Sequence, residues 1–228
     1  MFNLFFEIMN IRLNFTNTTD KIPVDNQKEL NSFVHRVLGH DNKFHDAFSN
    51  YSISGLQGGI LDKDTRTLSF RENPYIMISS MDNDFLIALF NGLSNNSNEK
   101  FFECAIKNYE VREFNIHEKY DIVRTISPIL LKDKTGRKIT IRDNNWLATL
   151  TEQCRNKLKY AGVVDDTFSI DIMNMDNMKT RLVYVGNVFN PCTSAKLIIK
   201  GKPETRRILY NLGLGNSCGS GFGAIKIY

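Results

Sequence analysis

Histidines are the side chains of this sequence best suited to proton transfer near neutral pH, and there are four of them: His35, His40, His45 and His117. An imidazole with an ordinary pKa of about 6.5 can act there as a general base or a general acid. On a helical wheel His35 lies more than about 100° from the apolar stripe around Val34, which predicts that it faces a groove or solvent. His45 follows ten positions later, so the two can meet only if the chain folds back after Gly39.

A glycine-rich segment at 213–223 is the second candidate site. It holds five glycines in eleven positions: Gly213, Gly215, Gly219, Gly221 and Gly223. Glycine lets a backbone come close to an anion such as phosphate without charged side chains. The segment lacks the Gly-Lys-Ser/Thr end of a P-loop, and it runs from a predicted helix into a strand, unlike a dinucleotide loop. A purely structural packing loop is the alternative.

The positive charge of the chain is concentrated beside this loop. The formal net charge is only +4, from 29 Lys and Arg against 25 Asp and Glu, but residues 196–228 carry six basic residues against Glu204 alone. Because polyanions bind where basic residues cluster, we expect Arg206, Arg207 and Lys226 to contact phosphates together with the glycines. With 42% hydrophobic and 24% charged residues, the composition excludes a disordered tail, a collagen and a transmembrane bundle.

The elements that must position these residues follow a β-α-β-β-α-β order twice. The first half is predicted as strand 3–15, helix 25–38, strands 67–71 and 75–80, helix 84–93 and strand 101–114. The second half is predicted as strand 120–131, helix 144–160, strands 168–173, 182–188 and 195–199, helix 204–212 and strand 222–228. The sequence therefore predicts an α+β protein of two tandem ferredoxin-like (RRM-like) domains, 1–117 and 118–228, divided in the polar interval 116–119.

The loop and other landmarks resemble a known family. The spacing Gly-x-Gly, five residues, Gly-x-Gly just before the final strand is similar to the signature loop of the Cas6 CRISPR RNA-processing endoribonucleases. Further landmarks in the same order are the helix 30–38, Phe44-His45 followed by Tyr51-Ser52-Ile53-Ser54, the helix end 88–93 and the Ser-Pro element 126–129. The resemblance spans essentially the whole chain.

The resemblance implies an activity and roles for the histidines. It implies a metal-independent endoribonuclease that needs no cofactor, binds CRISPR repeat RNA and cleaves it by 2′-OH attack, leaving 2′,3′-cyclic phosphate and 5′-OH ends. His45 matches the family's active-site histidine, and His35 matches a helical position that holds a catalytic tyrosine in some relatives. The lysine that family members often carry a few residues beyond the histidine is missing, so Lys43, Arg36 or a second imidazole is left to stabilise charge.

The alternative is a non-catalytic RNA-binding module or assembly subunit on the same fold, because this fold supports binding as readily as catalysis. The sequence leaves open whether a CRISPR effector complex is a partner and whether the chain is a monomer or a homodimer. Without a membrane span or an export signal, a cytoplasmic location is expected. The four cysteines form no CxxC pair, which favours buried thiols over a zinc site or a disulfide framework.

Overall fold

The protein folds into two antiparallel sheets with two helices each and two small hairpins. The computed structural model describes residues 9–39, 42–44, 49–95, 98–113 and 115–228. The first half consists of strands β1 (Met9–Phe15), β2 (Ile22–Pro23), β3 (Tyr51–Ile53), β4 (Gln57–Asp62), β5 (Thr67–Ser80), β6 (Lys100–Phe101) and β7 (Cys104–Glu113) and helices α1 (Gln27–Leu38) and α2 (Asn83–Asn95). The second half consists of strands β8 (Tyr120–Thr125), β9 (Leu131–Lys132), β10 (Lys138–Ile139), β11 (Ser169–Ile172), β12 (Lys179–Val185), β13 (Val188–Ser194), β14 (Lys196–Lys200) and β15 (Ile225–Ile227) and helices α3 (Trp146–Tyr160) and α4 (Pro203–Leu212).

The strand order of both sheets is ferredoxin-like. In the first sheet β1 lies between β5 and β7 and pairs antiparallel with both, while β3 and β4 extend the sheet beyond β5. In the second sheet the order is β11-β14-β8-β15, again antiparallel throughout. The first strand of each half is therefore central, between the third and the fourth strands of its β-α-β-β-α-β order. The predicted fold class is confirmed.

Each sheet has one apolar face and one polar face, because side chains alternate along a strand. In β1 the residues Ile11 and Leu13 are buried in one core with Phe33 of α1, while Arg12 is on the opposite face. In β8 Val123 is buried against α3 and α4, and Arg124 points the other way. The helices cover the apolar faces, so the polar faces remain to form a site.

The structure differs from the predicted elements at several places. The predicted strand 120–131 ends at Thr125, and β3 and β4 lie in a stretch for which no strand is predicted. Residues 67–80 form one continuous strand, although Pro74 divides the predicted pair; the register of β4 shifts between Gln57 and Gly59, opposite this part of β5. The predicted strand 182–188 is instead a hairpin of β12 and β13 that turns at Gly186, where φ is +56°.

The two halves are joined by a short connection. Strand β7 ends at Glu113 and β8 begins at Tyr120, so the predicted division at 117/118 falls between them and stays a prediction. The Gln57 Nε2 donates to the Ile126 carbonyl at 2.9 Å and so links the two halves directly. Within the part of the chain that the structure describes, no helix is long and apolar enough to cross a membrane.

Candidate nucleic-acid interface

His35 lies on the last turn of α1, away from the buried face of that helix. The buried face consists of Leu30, Phe33, Val34 and Val37 with Gln27. His35 itself is half-buried, and its Nδ1 is 3.3 Å from the Oδ1 of Asn42 in the segment that follows the helix. The structure thus places this imidazole at the helix surface, as the wheel predicts.

His45 and His40 lie outside the described residues, so the catalytic role predicted for His45 stays a prediction. The chain is anchored on both sides of the segment 45–48. On one side the ring of Phe44 packs edge-on against Phe85 with centroids 5.3 Å apart. On the other side Ser49 contacts the glycine-rich segment, since a Cβ built on Gly219 would lie 2.5 Å from the Ser49 Oγ.

The glycine-rich segment packs between the two halves. All five of its glycines are buried. A Cβ on Gly223 would lie 1.9 Å from the Leu214 carbonyl oxygen, and its φ of +63° also disfavours any other residue there. The glycine-rich segment is therefore a packing loop, as the alternative prediction stated. The predicted contacts of its glycines with RNA stay a prediction. The loop side chain that is most open to solvent is that of Ser217.

Hydrogen bonds attach this segment to the Ser-Pro element and the strand after it. The Gly223 amide donates to the Pro128 carbonyl at 3.0 Å, and the Asn216 amide donates to the Leu130 carbonyl at 2.8 Å. The opposite side of the segment faces α1, where a Cβ on Gly221 would lie 3.2 Å from Leu30. His35 comes five positions after Leu30, or about 7.5 Å along the helix axis at 1.5 Å per residue. The loop therefore packs against the same helix that carries His35.

The prediction that Arg206 contacts RNA is wrong. Arg206 is 0% exposed, and its Nη1 forms an ion pair of 2.6 Å with the equally buried Asp121. Its Nη2 donates to the carbonyls of His117 at 2.5 Å and Glu118 at 3.1 Å. A side chain enclosed by these partners holds the connection between the halves and cannot reach a ligand. The next residue, Arg207, is exposed.

Lys226 belongs to a row of cations on the polar face of the second sheet. Arg124 of β8 lies between Lys196 of β14 and Lys226 of β15, and it is the direct cross-strand neighbour of both. We call these three residues the basic row. Like charges directly opposite each other destabilise a sheet, so this arrangement is unfavourable for the protein alone.

Two arginines of the first sheet add to the charge at the basic row. The pKa of Lys226 is held below its usual range, first by burial and then by the positive charges of Arg124, Arg112 and Arg12. Arg12 and Arg112 come from β1 and β7, so the polar faces of both sheets bring cations to the same region. They are accompanied by Glu110, which is paired with Arg112 and lies directly opposite Arg12. A bound anion would relieve this repulsion and raise the pKa of Lys226.

A cleft between the halves continues from the basic row. It has a volume of about 630 Å³ and shares Arg124 with the row. Among the described residues, its lining includes Lys63, Arg66 and Arg181 and one acid, Asp25, which is already paired with Arg66 at 2.7 Å. The cleft is therefore electropositive and is positioned to hold a polyanion.

Sequence reasoning missed most of this surface. The count over residues 196–228 found Lys226, but Arg12, Arg112 and Arg124 come from strands far away in the sequence. The signal that could have found Arg12 and Arg124 is their place within otherwise apolar strands, alternating with buried residues.

Lys157 of α3 is another residue near the candidate site that was not predicted from the sequence. Its Nζ donates to the carbonyls of Leu212 at 3.1 Å and Gly213 at 2.8 Å, and it lies 3.1 Å from the Cys218 Sγ. Lys157 thus caps the end of α4 and holds the start of the glycine-rich segment. A cation at a helix C-terminus is favourable because carbonyl groups there are otherwise unpaired.

A family match that covers the second half of the chain shows to which family the protein belongs. The family described as "CRISPR associated protein Cas6, C-terminal" matches residues 91–227. The chain belongs to the Cas6 family. The matched residues contain the glycine-rich segment, the basic row and the buried pair of Arg206 and Asp121, whereas α1 with His35 lies before them.

Solved structures share this Cas6 fold over nearly the full length. A Cas6-related protein from Pyrococcus furiosus is 16% identical with a TM-score of 0.82, covering 97% of this chain and 98% of its own. "An RAMP protein binding different RNA substrates" is 16% identical with a TM-score of 0.81, covering 97% and 99%. A Cas6 product complex is 11% identical with a TM-score of 0.64, again covering 97% and 99%. No curated protein matches the sequence.

Proposed function

We propose that this Cas6 family protein is a metal-independent endoribonuclease that binds CRISPR repeat RNA and cleaves the precursor transcript into guide RNAs. The observation that carries the proposal is the meeting of cations from both sheets at Lys226, in a chain that belongs to this family. Arg12 and Arg112 approach from the first sheet, and Arg124 and Lys226 from the second. Such a surface suits the closely spaced phosphates of an RNA strand.

The proposed reaction transfers two protons and breaks one bond. A base removes the proton of the 2′-OH, and the 2′ oxygen attacks the adjacent phosphorus to form the cyclic phosphate. The bond from phosphorus to the 5′ oxygen then breaks, and an acid protonates that oxygen to leave a 5′-OH. We assign these two roles to His35 and His45, because imidazole can give or take a proton near neutral pH.

The test of this mechanism uses repeat RNA in two forms. The protein is incubated with RNA in EDTA, and in parallel with RNA that is 2′-deoxy at the scissile nucleotide. We expect cleavage in EDTA with a 2′,3′-cyclic phosphate end, and none of the deoxy substrate because the nucleophile is missing. Loss of cleavage in EDTA, or cleavage of the deoxy RNA, would overturn the mechanism. Binding without any cut product would favour the non-catalytic RNA-binding module instead.

Replacing Lys226 with alanine should weaken RNA binding and reduce its salt dependence. Each cation that neutralises a phosphate contributes about 0.7 to the slope of log K against log salt for a single strand. We therefore expect the slope to fall by roughly that amount in a filter-binding titration across salt concentrations. The matched control is Lys200→Ala, since Lys200 lies on β14 of the same sheet but is already paired with Asp171 at 2.8 Å. Equal losses in both variants would contradict a specific role for the basic row.

A further inference from the structure

Asn42 connects the end of α1 to the chain that leads to His45. Its Nδ2 donates to the Gly39 carbonyl at 2.6 Å and lies 3.4 Å from the His35 carbonyl. Its Oδ1 accepts from the Phe44 amide at 3.2 Å and lies 3.3 Å from the His35 Nδ1. One side-chain amide therefore contacts both the backbone and the imidazole of the catalytic helix.

The backbone partners decide which way this amide points. The Gly39 carbonyl can only accept a hydrogen bond, and the Phe44 amide can only donate one. A flipped Asn42 would direct its NH₂ group at the Phe44 N–H and its oxygen at the Gly39 carbonyl, which replaces two hydrogen bonds by two repulsions. The Oδ1 must therefore face Phe44 and, with it, the His35 imidazole.

This orientation also favours one tautomer of His35. Because the Oδ1 can only accept, the hydrogen bond between the two side chains forms only if the His35 Nδ1 carries the proton. In the neutral ring the lone pair is then on Nε2. A free histidine side chain prefers the opposite tautomer, with the proton on Nε2, so Asn42 reverses the intrinsic preference.

We propose that Asn42 is a positioning residue that holds His35 in the Nδ1–H tautomer and so makes Nε2 the atom that exchanges protons with the RNA. This inference rests on the proposed function, in which His35 is a catalytic residue. Asn42 does not touch the reacting atoms; it acts through the imidazole, as the orienting group of a general base does.

The direct test is the tautomer itself. A proton–nitrogen correlation spectrum of protein labelled with ¹⁵N-histidine is recorded at a pH where His35 is neutral, and its ring signals are identified by their absence from His35→Gln. We expect a protonated Nδ1 and an unprotonated Nε2 in the unaltered protein. Asn42→Ala removes the acceptor oxygen and should shift this pattern towards Nε2–H. A protonated Nε2 in the unaltered protein would overturn the inference without any variant being needed.

A second measurement follows cleavage under single-turnover conditions. Asn42→Ala should slow the cleavage step by about 10-fold to 100-fold at unchanged RNA affinity. Asn95→Ala, which removes an exposed asparagine at the end of α2, is the matched control and should cleave normally. An unchanged cleavage rate in Asn42→Ala would contradict the positioning role. Normal cleavage by His35→Ala would instead remove His35 from the proposed mechanism, and with it the catalytic part of this inference, while the tautomer result would still stand.

Discussion

Replacing Arg206 with alanine should lower the free energy of unfolding by about 3–5 kcal/mol, because the variant leaves the Asp121 carboxylate buried without its cation. Both side chains are 0% exposed, and the guanidinium also satisfies two carbonyls of the connection between the halves. The loss is large beside the 5–15 kcal/mol that stabilises a typical domain. Urea unfolding followed by circular dichroism measures it.

The neighbouring arginine provides the control for this change. Arg207 is exposed on the same turn of α4, so Arg207→Ala should alter the free energy of unfolding by less than about 0.5 kcal/mol. If the two variants unfolded at the same urea concentration, the buried pair would not stabilise the protein as the structure indicates. RNA affinity measured on the folded fraction should be affected by Arg207→Ala alone.

Replacing His35 with alanine should slow cleavage of repeat RNA by roughly 100-fold to 10,000-fold, the usual contribution of a positioned general acid or base. RNA affinity should stay close to that of the unaltered protein, because the basic row and the cleft lie on the sheets and not on the last turn of α1. Single-turnover cleavage rates and a separate binding titration distinguish the two effects.

Ser32→Ala is the matched control for His35. Ser32 lies three residues earlier, about one turn below His35 on the surface of α1, and alanine favours the helix. This variant should cleave at the normal rate. A His35→Ala protein that cleaves within a few-fold of normal would remove His35 from the mechanism and leave His45 as the remaining candidate. Loss of RNA affinity in His35→Ala would point to a binding role.

The fold could be predicted from the sequence because periodicity reports burial directly. Leu30, Phe33, Val34 and Val37 mark α1, and the structure buries all four. The hairpin of β12 and β13 was not predicted because its outer face carries exposed apolar side chains such as Leu182. The alternation of apolar and polar residues along these strands therefore does not report burial. Local pattern reveals an element only where one face of it meets the core.

The site was only partly predictable from the sequence. Contacts between residues that are distant in sequence determine which charged side chains are exposed and which are buried in ion pairs. Arg206 and Arg207 are equivalent in a charge count, yet only one of them meets an acid, 85 residues away in sequence. One signal was present: Asp121 alternates in phase with the buried Val123, and an acid on a buried face needs a cation. The basic row likewise depends on strand register, which composition does not specify.

The packing of the glycine-rich segment against α1 and β3 has a consequence for the order of folding. Gly221 meets Leu30 and Gly219 meets Ser49, so these contacts join residues about 190 and 170 positions apart in the chain. Closing a loop of that length is slow and entropically unfavourable, whereas each sheet forms through shorter connections. We therefore expect each half to form first and the segment to dock last, which would make the surroundings of α1 the final part of the molecule to become native.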